Sequence, residues 1–297
     1  MLVAYVETQP TSAGVLSRAP SGGLVLGAIA SVQFGAALAT HLFDQVGPAG
    51  TVLLRVATAS IILVAIWTPR VRGRPRSELV LAAVFGLVLA GMNLAFYESI
   101  DRIPLGTAVT IEFVGPLAVA VIGSRRPLDL LWVALALAGI LALTQGGTHS
   151  LDGLGVALAL IAGGLWGAYI IINGRVGRVY ERGTGVALSM CIASVALLPV
   201  GIASGGSHLL EPKSLAIGAA VGVLSSAIPY SFEQEALRRI AASVFGVLMS
   251  LEPGVAALAG LILLGQSLSA REIVGIALVV AASAGASRRI GEAPVDA

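Results

Sequence analysis

Long apolar runs are the feature that most constrains the fold of this chain. Only short polar stretches separate them, so the runs follow one another along most of the sequence. Ten runs cover residues 24–43, 50–68, 78–98, 105–122, 128–146, 153–173, 183–203, 214–233, 243–264 and 270–287. A helix that crosses the hydrocarbon core of a bilayer needs about 20 apolar residues. We therefore predict an all-α integral membrane protein with ten transmembrane helices.

The composition agrees with this prediction and excludes several classes of protein. Charged residues make up 11% of the chain, against about 25% in a soluble domain. The basic residues lie between apolar runs and not on one polar face, which argues against a nucleic-acid partner. The single cysteine, Cys191, excludes an internal disulfide and a cysteine metal cluster. No nucleotide-binding, metalloprotease or serine-hydrolase motif is present, so we predict no cofactor, no metal and no enzymatic activity.

Arginine and lysine predict the orientation in the membrane. With a cytoplasmic N-terminus, the inner loops hold 14 of the 18 basic residues and the outer loops hold three. This positive-inside asymmetry places both termini in the cytoplasm. Residues 1–23 and 288–297 then form cytoplasmic tails. The first apolar run is followed by many others, so we interpret it as a membrane helix and not as a cleaved signal peptide.

The chain also contains a weak internal repeat. Residues 234–253 align with residues 97–116 at an offset of about 137 residues, and Gly275 aligns with Gly139 in the same way. Five helices in each copy make the second copy enter the membrane from the opposite side. We expect two inverted repeats, residues 24–146 and 153–287, around a central cavity, an arrangement found in many secondary transporters.

Two opposite charges lie at similar depth in the first copy. Arg55 lies in the second predicted span and Glu112 in the fourth, each about 8–10 Å from the outer end of its helix. Intramembrane charges are costly and are expected to pair. The repeat counterpart of Glu112 is Met249, so the second copy lacks that charge. The pair is either a structural ion pair or a site for a zwitterion, with Arg55 binding a carboxylate and Glu112 an ammonium group or a proton.

A polar stripe recurs at equivalent positions of the third and eighth predicted spans. Asn93 and Tyr97 form the first stripe, Tyr230 and Gln234 form the second, and Glu233 adds a carboxylate. Because amides are costly in contact with lipid, the stripes indicate a shared cavity. Alternatively, the tyrosines belong to the aromatic belt at the membrane surface.

The first and sixth predicted spans present a third polar and aromatic face. Gln33 and His41 lie in the first span, and Trp166 and Tyr169 lie in the sixth. We include all four as candidate binding residues. Aromatics at helical spacing are more often packing residues than ligand contacts, and His41 has the alternative role of an interfacial histidine.

Prolines in the fourth and ninth predicted spans indicate points of bending. Pro116 follows Gly115 in one span, and Pro253 follows Glu252 in the other. Proline removes one hydrogen bond of the helix and kinks it. We therefore predict hinges at Gly115, Pro116 and Pro253.

Several of these segments together resemble the EamA family of the drug/metabolite transporter superfamily, and within it the threonine/homoserine exporters. The resemblance rests on residues 31–43, 53–63, 97–121 and 231–265, and above all on the sequence IPLGTAVTIEFVGPL. Gln266 departs from the pattern, since the family often has a glutamate there. The resemblance implies an exporter of amino acids, aromatic ones among them, in the bacterial inner membrane.

The function expected from these features and this resemblance is export of amino acids by alternating access through the central cavity. Two driving mechanisms fit the sequence: exchange with protons, and facilitated efflux without a coupling ion. Two assemblies also fit it, a monomer and a homodimer. The alternatives are a carrier of other metabolites, drugs or nucleotide-type solutes, and an integral-membrane enzyme that modifies lipids. A phosphate carrier would need more intramembrane basic residues than Arg55 alone.

Overall fold

The computed structural model describes residues 20–122, 129–144, 151–181, 183–237, 239 and 242–287. Throughout this part the regular structure is helical, with no strand. The first half contains α1 (Ser21–Thr40), α2 (Phe43–Trp67), α3 (Arg76–Ile100), α4 (Leu105–Glu112), α5 (Val114–Ile122) and α6 (Asp129–Thr144). The second half contains α7 (Gly153–Val179), α8 (Thr184–Gly205), a 3₁₀ turn (Gly206–Leu210), α9 (Pro212–Gly222), a π-helical turn (Val223–Ala227), α10 (Ile228–Leu237), α11 (Ala242–Met249), α12 (Glu252–Leu264) and α13 (Ala270–Ser287).

Six helical segments of the described chain are long and apolar enough to cross a membrane. They are α1, α2, α3, α7, the segment Thr184–Leu210 and the segment Val244–Leu264. Large apolar side chains on these helices point outward, and Ile61, Val195 and Ile262 are each more than half exposed. Such surfaces are stable in an apolar solvent, where the hydrophobic effect does not oppose their exposure. The structure is therefore that of an α-helical integral membrane protein.

The fourth and ninth predicted spans are interrupted, and each first part ends four residues before a proline. α4 ends at Glu112, and α5, which contains Pro116, begins two residues later. α11 ends at Met249, and α12 begins at Glu252, beside Pro253. Proline has no backbone N–H, so the carbonyl groups of Glu112 and Met249 lose their usual intrahelical partner. The two interruptions therefore have the same chemical cause.

Other boundaries differ from the predicted spans where the backbone turns. α1 ends at Thr40, and α2 begins at Phe43, earlier than predicted. A kink follows at Gly47, whose φ of 70° is left-handed and suits glycine. The eighth predicted span contains the π-helical turn, which breaks the regular α-helical ladder. Ser31 of α1 donates a side-chain hydrogen bond of 2.6 Å to the Leu224 carbonyl in that turn.

Small residues bring helices of the two halves into backbone contact. A Cβ on Gly139 of α6 would lie 2.7 Å from the Gly275 carbonyl oxygen of α13, and a Cβ on Gly275 would lie 2.8 Å from the Gly139 oxygen. A Cβ on Gly106 of α4 would lie 2.6 Å from the Cα of Ala257 in α12. Neither pair of helices has room for a larger side chain at its contact. This close packing places the interrupted helices side by side.

Candidate functional site

Two buried carboxyl groups lie at the interruptions. Glu112 is the last residue of α4 and Glu252 is the first of α12, and each is 8% exposed. The two carboxyl groups interact electrostatically, and Glu252 also interacts with Glu233 of α10. Charges of one sign repel strongly where little water screens them. These three carboxyl groups, called the carboxyl cluster below, therefore favour a positively charged group between them.

Gln33, in the second half of α1, contacts the carboxyl group of Glu252. Its Nε2 donates a hydrogen bond of 2.9 Å to Glu252 Oε1, and Gln33 is only 2% exposed. Gln33 Oε1 and Glu252 Oε2 are buried and lack a hydrogen-bond partner among the described residues. An unpartnered buried acceptor costs roughly 1–3 kcal/mol. Gln33 and Glu252 thus form a polar site with two acceptor oxygens that no described residue donates to.

Arg55 of α2 contacts Tyr97 of α3. Arg55 Nη1 donates a hydrogen bond of 3.3 Å to the Tyr97 hydroxyl, and the guanidinium carbon lies 5.4 Å from the ring centroid. Tyr97 is 0% exposed, which excludes the alternative of an aromatic-belt residue at this position. This contact joins α2 to α3.

The expected pairing of Arg55 with Glu112 needs a correction in its geometry. The two groups interact electrostatically. Within the described part of the chain, however, no ion pair within 4.0 Å joins them. The guanidinium instead contacts the hydroxyl and the ring of Tyr97. Sequence depth alone could not reveal this third residue, because depth says nothing about which helix faces are in contact.

Asn93 and His41 make polar contacts with backbone carbonyl groups close to them in the chain. The Asn93 side-chain nitrogen donates a hydrogen bond of 2.8 Å to the Leu89 carbonyl of its own helix. His41 is exposed in the turn after α1, and its Nδ1 lies 3.3 Å from the Ala37 carbonyl oxygen. The position of His41 agrees with the alternative of an interfacial histidine.

Trp166 and Tyr169 of α7 contact aromatic side chains of neighbouring helices. The Trp166 ring packs edge-on against Phe113, the residue between α4 and α5, at a centroid distance of 5.1 Å. The Tyr169 ring stacks on Phe85 of α3 at 5.2 Å. Both contacts agree with the packing role. Trp166 also lies directly against the first interruption.

The second polar stripe is only partly visible. Glu233 of α10 is half-buried. The side chains of Tyr230 and Gln234 lie outside the described part of the structure, so their place in a cavity stays a prediction.

The predicted hinge residues lie at the two interruptions. Gly115 of α5 is in contact with the Gly163 carbonyl group of α7, where an added Cβ would collide with that backbone. A Cβ on Gly163 would in turn lie 2.6 Å from the Glu112 carbonyl oxygen. The carbonyl group that Pro116 leaves without its usual partner therefore faces the backbone of α7. Movement at these residues stays a prediction.

Glu252 is the site residue that sequence reasoning missed. The repeat alignment compares Glu112 with Met249, and this comparison hid the carboxylate three residues further on. A signal was present, since a glutamate beside a proline inside an apolar run is costly and requires an explanation.

Among the described residues, no group of three or more His, Cys, Asp or Glu side chains is arranged to bind a metal ion.

Known proteins similar to this chain are transporters. Residues 153–288 match the EamA-like transporter family. The chain is 43% identical to the threonine/homoserine exporter RhtA of Salmonella typhimurium (strain SL1344) over 275 residues, 91% of this chain and 92% of that protein. It is 42% identical to the threonine/homoserine exporter RhtA of Escherichia coli (strain K12) over 268 residues, 89% of this chain and 90% of that protein.

A solved crystal structure has the same fold. It aligns with a TM-score of 0.58 at 19% identity and covers 90% of this chain and 98% of the other. At that identity the likeness concerns the fold alone. The identity to RhtA over nearly the whole chain carries the stronger conclusion: this protein belongs to the EamA-like transporter family.

Proposed function

We propose that this protein exports amino acids of the threonine/homoserine class across the bacterial inner membrane. The observation that carries this proposal is the 43% identity to a threonine/homoserine exporter over 91% of the chain. The sequence has no nucleotide-binding motif, which favours a secondary transporter over an ATP-driven pump. Carriers of drugs, nucleotide-type solutes or other metabolites are the competing possibilities.

The proposed architecture is ten membrane spans in two inverted copies, residues 24–146 and 153–287. Two observations support it. The interruptions at Glu112 and Met249 lie at equivalent positions of the two copies. Gly139 and Gly275, also equivalent, contact each other, as expected for residues near an axis that relates the copies. Rocking of the copies, with bending at the interruptions, would open a central cavity to one side at a time.

Reporter fusions test this arrangement. Fluorescent or alkaline-phosphatase reporters at the C-terminus and in the loops distinguish cytoplasmic from periplasmic positions. We expect a cytoplasmic C-terminus, and a periplasmic loop between α3 and α4 opposed to a cytoplasmic loop between α10 and α11. Both loops on the same side of the membrane would exclude the inverted repeat.

The proposed substrate site uses opposite charges for the two ends of an amino acid. Arg55, oriented by Tyr97, has guanidinium N–H groups available beyond its contact with the hydroxyl, and these suit a carboxylate. Glu112 lies within electrostatic range of Arg55 and suits an ammonium group or a proton. A zwitterion would thus neutralise both charges at once. The pair then serves the substrate and not only the packing of the helices.

Transport by purified protein in liposomes tests the function. Vesicles preloaded with unlabelled threonine should accumulate labelled threonine and homoserine by counterflow without ATP. A panel of aromatic amino acids and a nucleotide sugar defines the substrate range. Counterflow of the nucleotide sugar without threonine would overturn the proposal. Repeating the assay with and without a proton gradient distinguishes proton exchange from facilitated efflux.

A further inference from the structure

We propose that Glu252 and Gln33 form the subsite that binds the amino group of the exported amino acid. This inference rests on the proposed export function and assigns residues to one end of the substrate. Gln33 and Glu252 are 219 positions apart in the chain, and a hydrogen bond of 2.9 Å joins them. They come from α1 and α12, so the subsite lies between the two halves of the protein.

The first argument is the pair of unpartnered acceptors. Gln33 Oε1 and Glu252 Oε2 are both buried and lack a donor among the described residues. The Gln33 amide group already uses its Nε2 on the carboxylate, and its oxygen can only accept. An ammonium group carries three N–H donors and no acceptor. One ammonium group can therefore donate to both oxygens and still has a donor for Glu112.

The second argument is charge. Glu252 interacts electrostatically with Glu112 and with Glu233, so three carboxyl groups form one cluster. Arg55 also interacts electrostatically with Glu112. Its guanidinium contacts Tyr97, and among the described residues no ion pair within 4.0 Å joins it to Glu112. The cluster therefore retains an excess of acidic groups, which a positively charged amino group would balance.

The third argument is position. Glu252 begins the second part of an interrupted helix, and Glu112 ends the first part of the equivalent helix. A substrate amino group between the two carboxyl groups would contact both interruptions. Its binding would then depend on how the two halves are oriented, as alternating access requires.

The test is a thermodynamic cycle that combines a change in the ligand, loss of its amino group, with a change in the protein at Glu252. Affinities for L-threonine and for its analogue with a hydroxyl group in place of the amino group are measured by calorimetry on purified protein in nanodiscs. We expect Glu252→Gln to weaken threonine binding by about 10- to 100-fold. The affinity for the hydroxyl analogue should change less than about twofold. Retained binding of the analogue also shows that the variant is folded.

Three further proteins make the outcome unambiguous. Gln33→Leu removes the amide oxygen and should weaken threonine binding selectively, which tests the subsite if Glu252→Gln does not fold. Glu252→Asp keeps the charge and should recover part of the affinity. Glu211→Gln, at an exposed carboxylate before α9, is the matched control and should bind as the wild type does.

The outcomes separate this inference from the proposed function. Suppose that the wild-type protein exports threonine. The subsite is overturned, and the export function stands, if Glu252→Gln and Gln33→Leu each lose the same affinity for threonine as for the analogue, or if neither variant loses affinity for either ligand. If the wild-type protein neither binds nor exports amino acids, the proposed function fails. A selective loss for threonine in Glu252→Gln or Gln33→Leu supports the subsite.

Discussion

The two interrupted helices have the same break in the backbone but different surroundings. Between α4 and α5 the neighbouring helix is so close that Gly115 meets the backbone of Gly163. Between α11 and α12 the position before the proline is Glu252, whose carboxylate accepts a hydrogen bond from Gln33 of α1. One interruption is thus closed by backbone contact, and the other is lined by polar side chains. The same break in a helix is thus tightly packed in one place and polar in the other.

The largest effect is expected from a methyl group added to Gly115 at its contact with Gly163. Gly115→Ala would place a Cβ against the Gly163 backbone, which cannot move as a flexible side chain can. We expect a loss of about 3 kcal/mol in the free energy of unfolding, or no folded protein, because overpacking of this kind is strongly destabilising. Unfolding in detergent and size-exclusion chromatography measure the change.

The matched control for Gly115→Ala lies at the other interruption. A Cβ on Gly254, directly after Pro253, would meet no atom within 4 Å. Gly254→Ala should therefore leave the stability unchanged or raise it by up to about 1 kcal/mol, because alanine favours a helix. Equal stability losses in the two variants would contradict the difference between the interruptions.

Removal of one charge should stop transport while the fold is retained. Glu112→Gln keeps the size of the side chain but removes a negative charge from the carboxyl cluster. We expect export of threonine to fall at least about tenfold, and in the strongest case to background, because a charge-assisted contact to the substrate is lost. Normal counterflow in liposomes that contain Glu112→Gln would exclude a functional role. Glu211→Gln is again the control.

The smallest expected effect concerns the contact between Arg55 and Tyr97. Tyr97→Phe removes the hydroxyl that binds the guanidinium but keeps the buried ring. In a double-mutant cycle with Arg55→Ala, we expect a coupling of about 0.5–1.5 kcal/mol in the free energy of unfolding. Additive losses would show that the two residues act independently and that the arginine is oriented by other groups.

Much of the fold could be predicted from the sequence because membrane helices have strong local signals. A run of apolar residues predicts a span, and a proline inside it predicts a break. The breaks before Pro116 and Pro253 were predicted for this reason, although sequence patterns could not determine that each helix ends at the residue whose carbonyl loses its partner. The turn at His41 and the π-helical turn were missed. The π-helical turn includes Leu224, whose carbonyl group accepts a hydrogen bond from Ser31 of another helix.

The candidate site could be predicted only in part. Glu112, Arg55, Tyr97 and Gln33 were recognisable because polar groups in an apolar run are costly. The contacts between these side chains could not be predicted, because they depend on which faces of neighbouring helices pack together. Arg55 was assigned to Glu112 from equal depth, while the structure places it on Tyr97. Glu252 was hidden because the repeat alignment compared Met249 with Glu112.

The sequence by itself determined that this chain is an α-helical membrane protein, that two of its spans break at prolines, and that it resembles an exporter family. Each of these follows from residues that are near one another in the chain. Only the tertiary structure decided which polar groups meet. The contact between Gln33 and Glu252 joins residues 219 positions apart. Such contacts depend on close packing of helices at small residues, and the order of apolar and polar residues along one helix does not specify its partner.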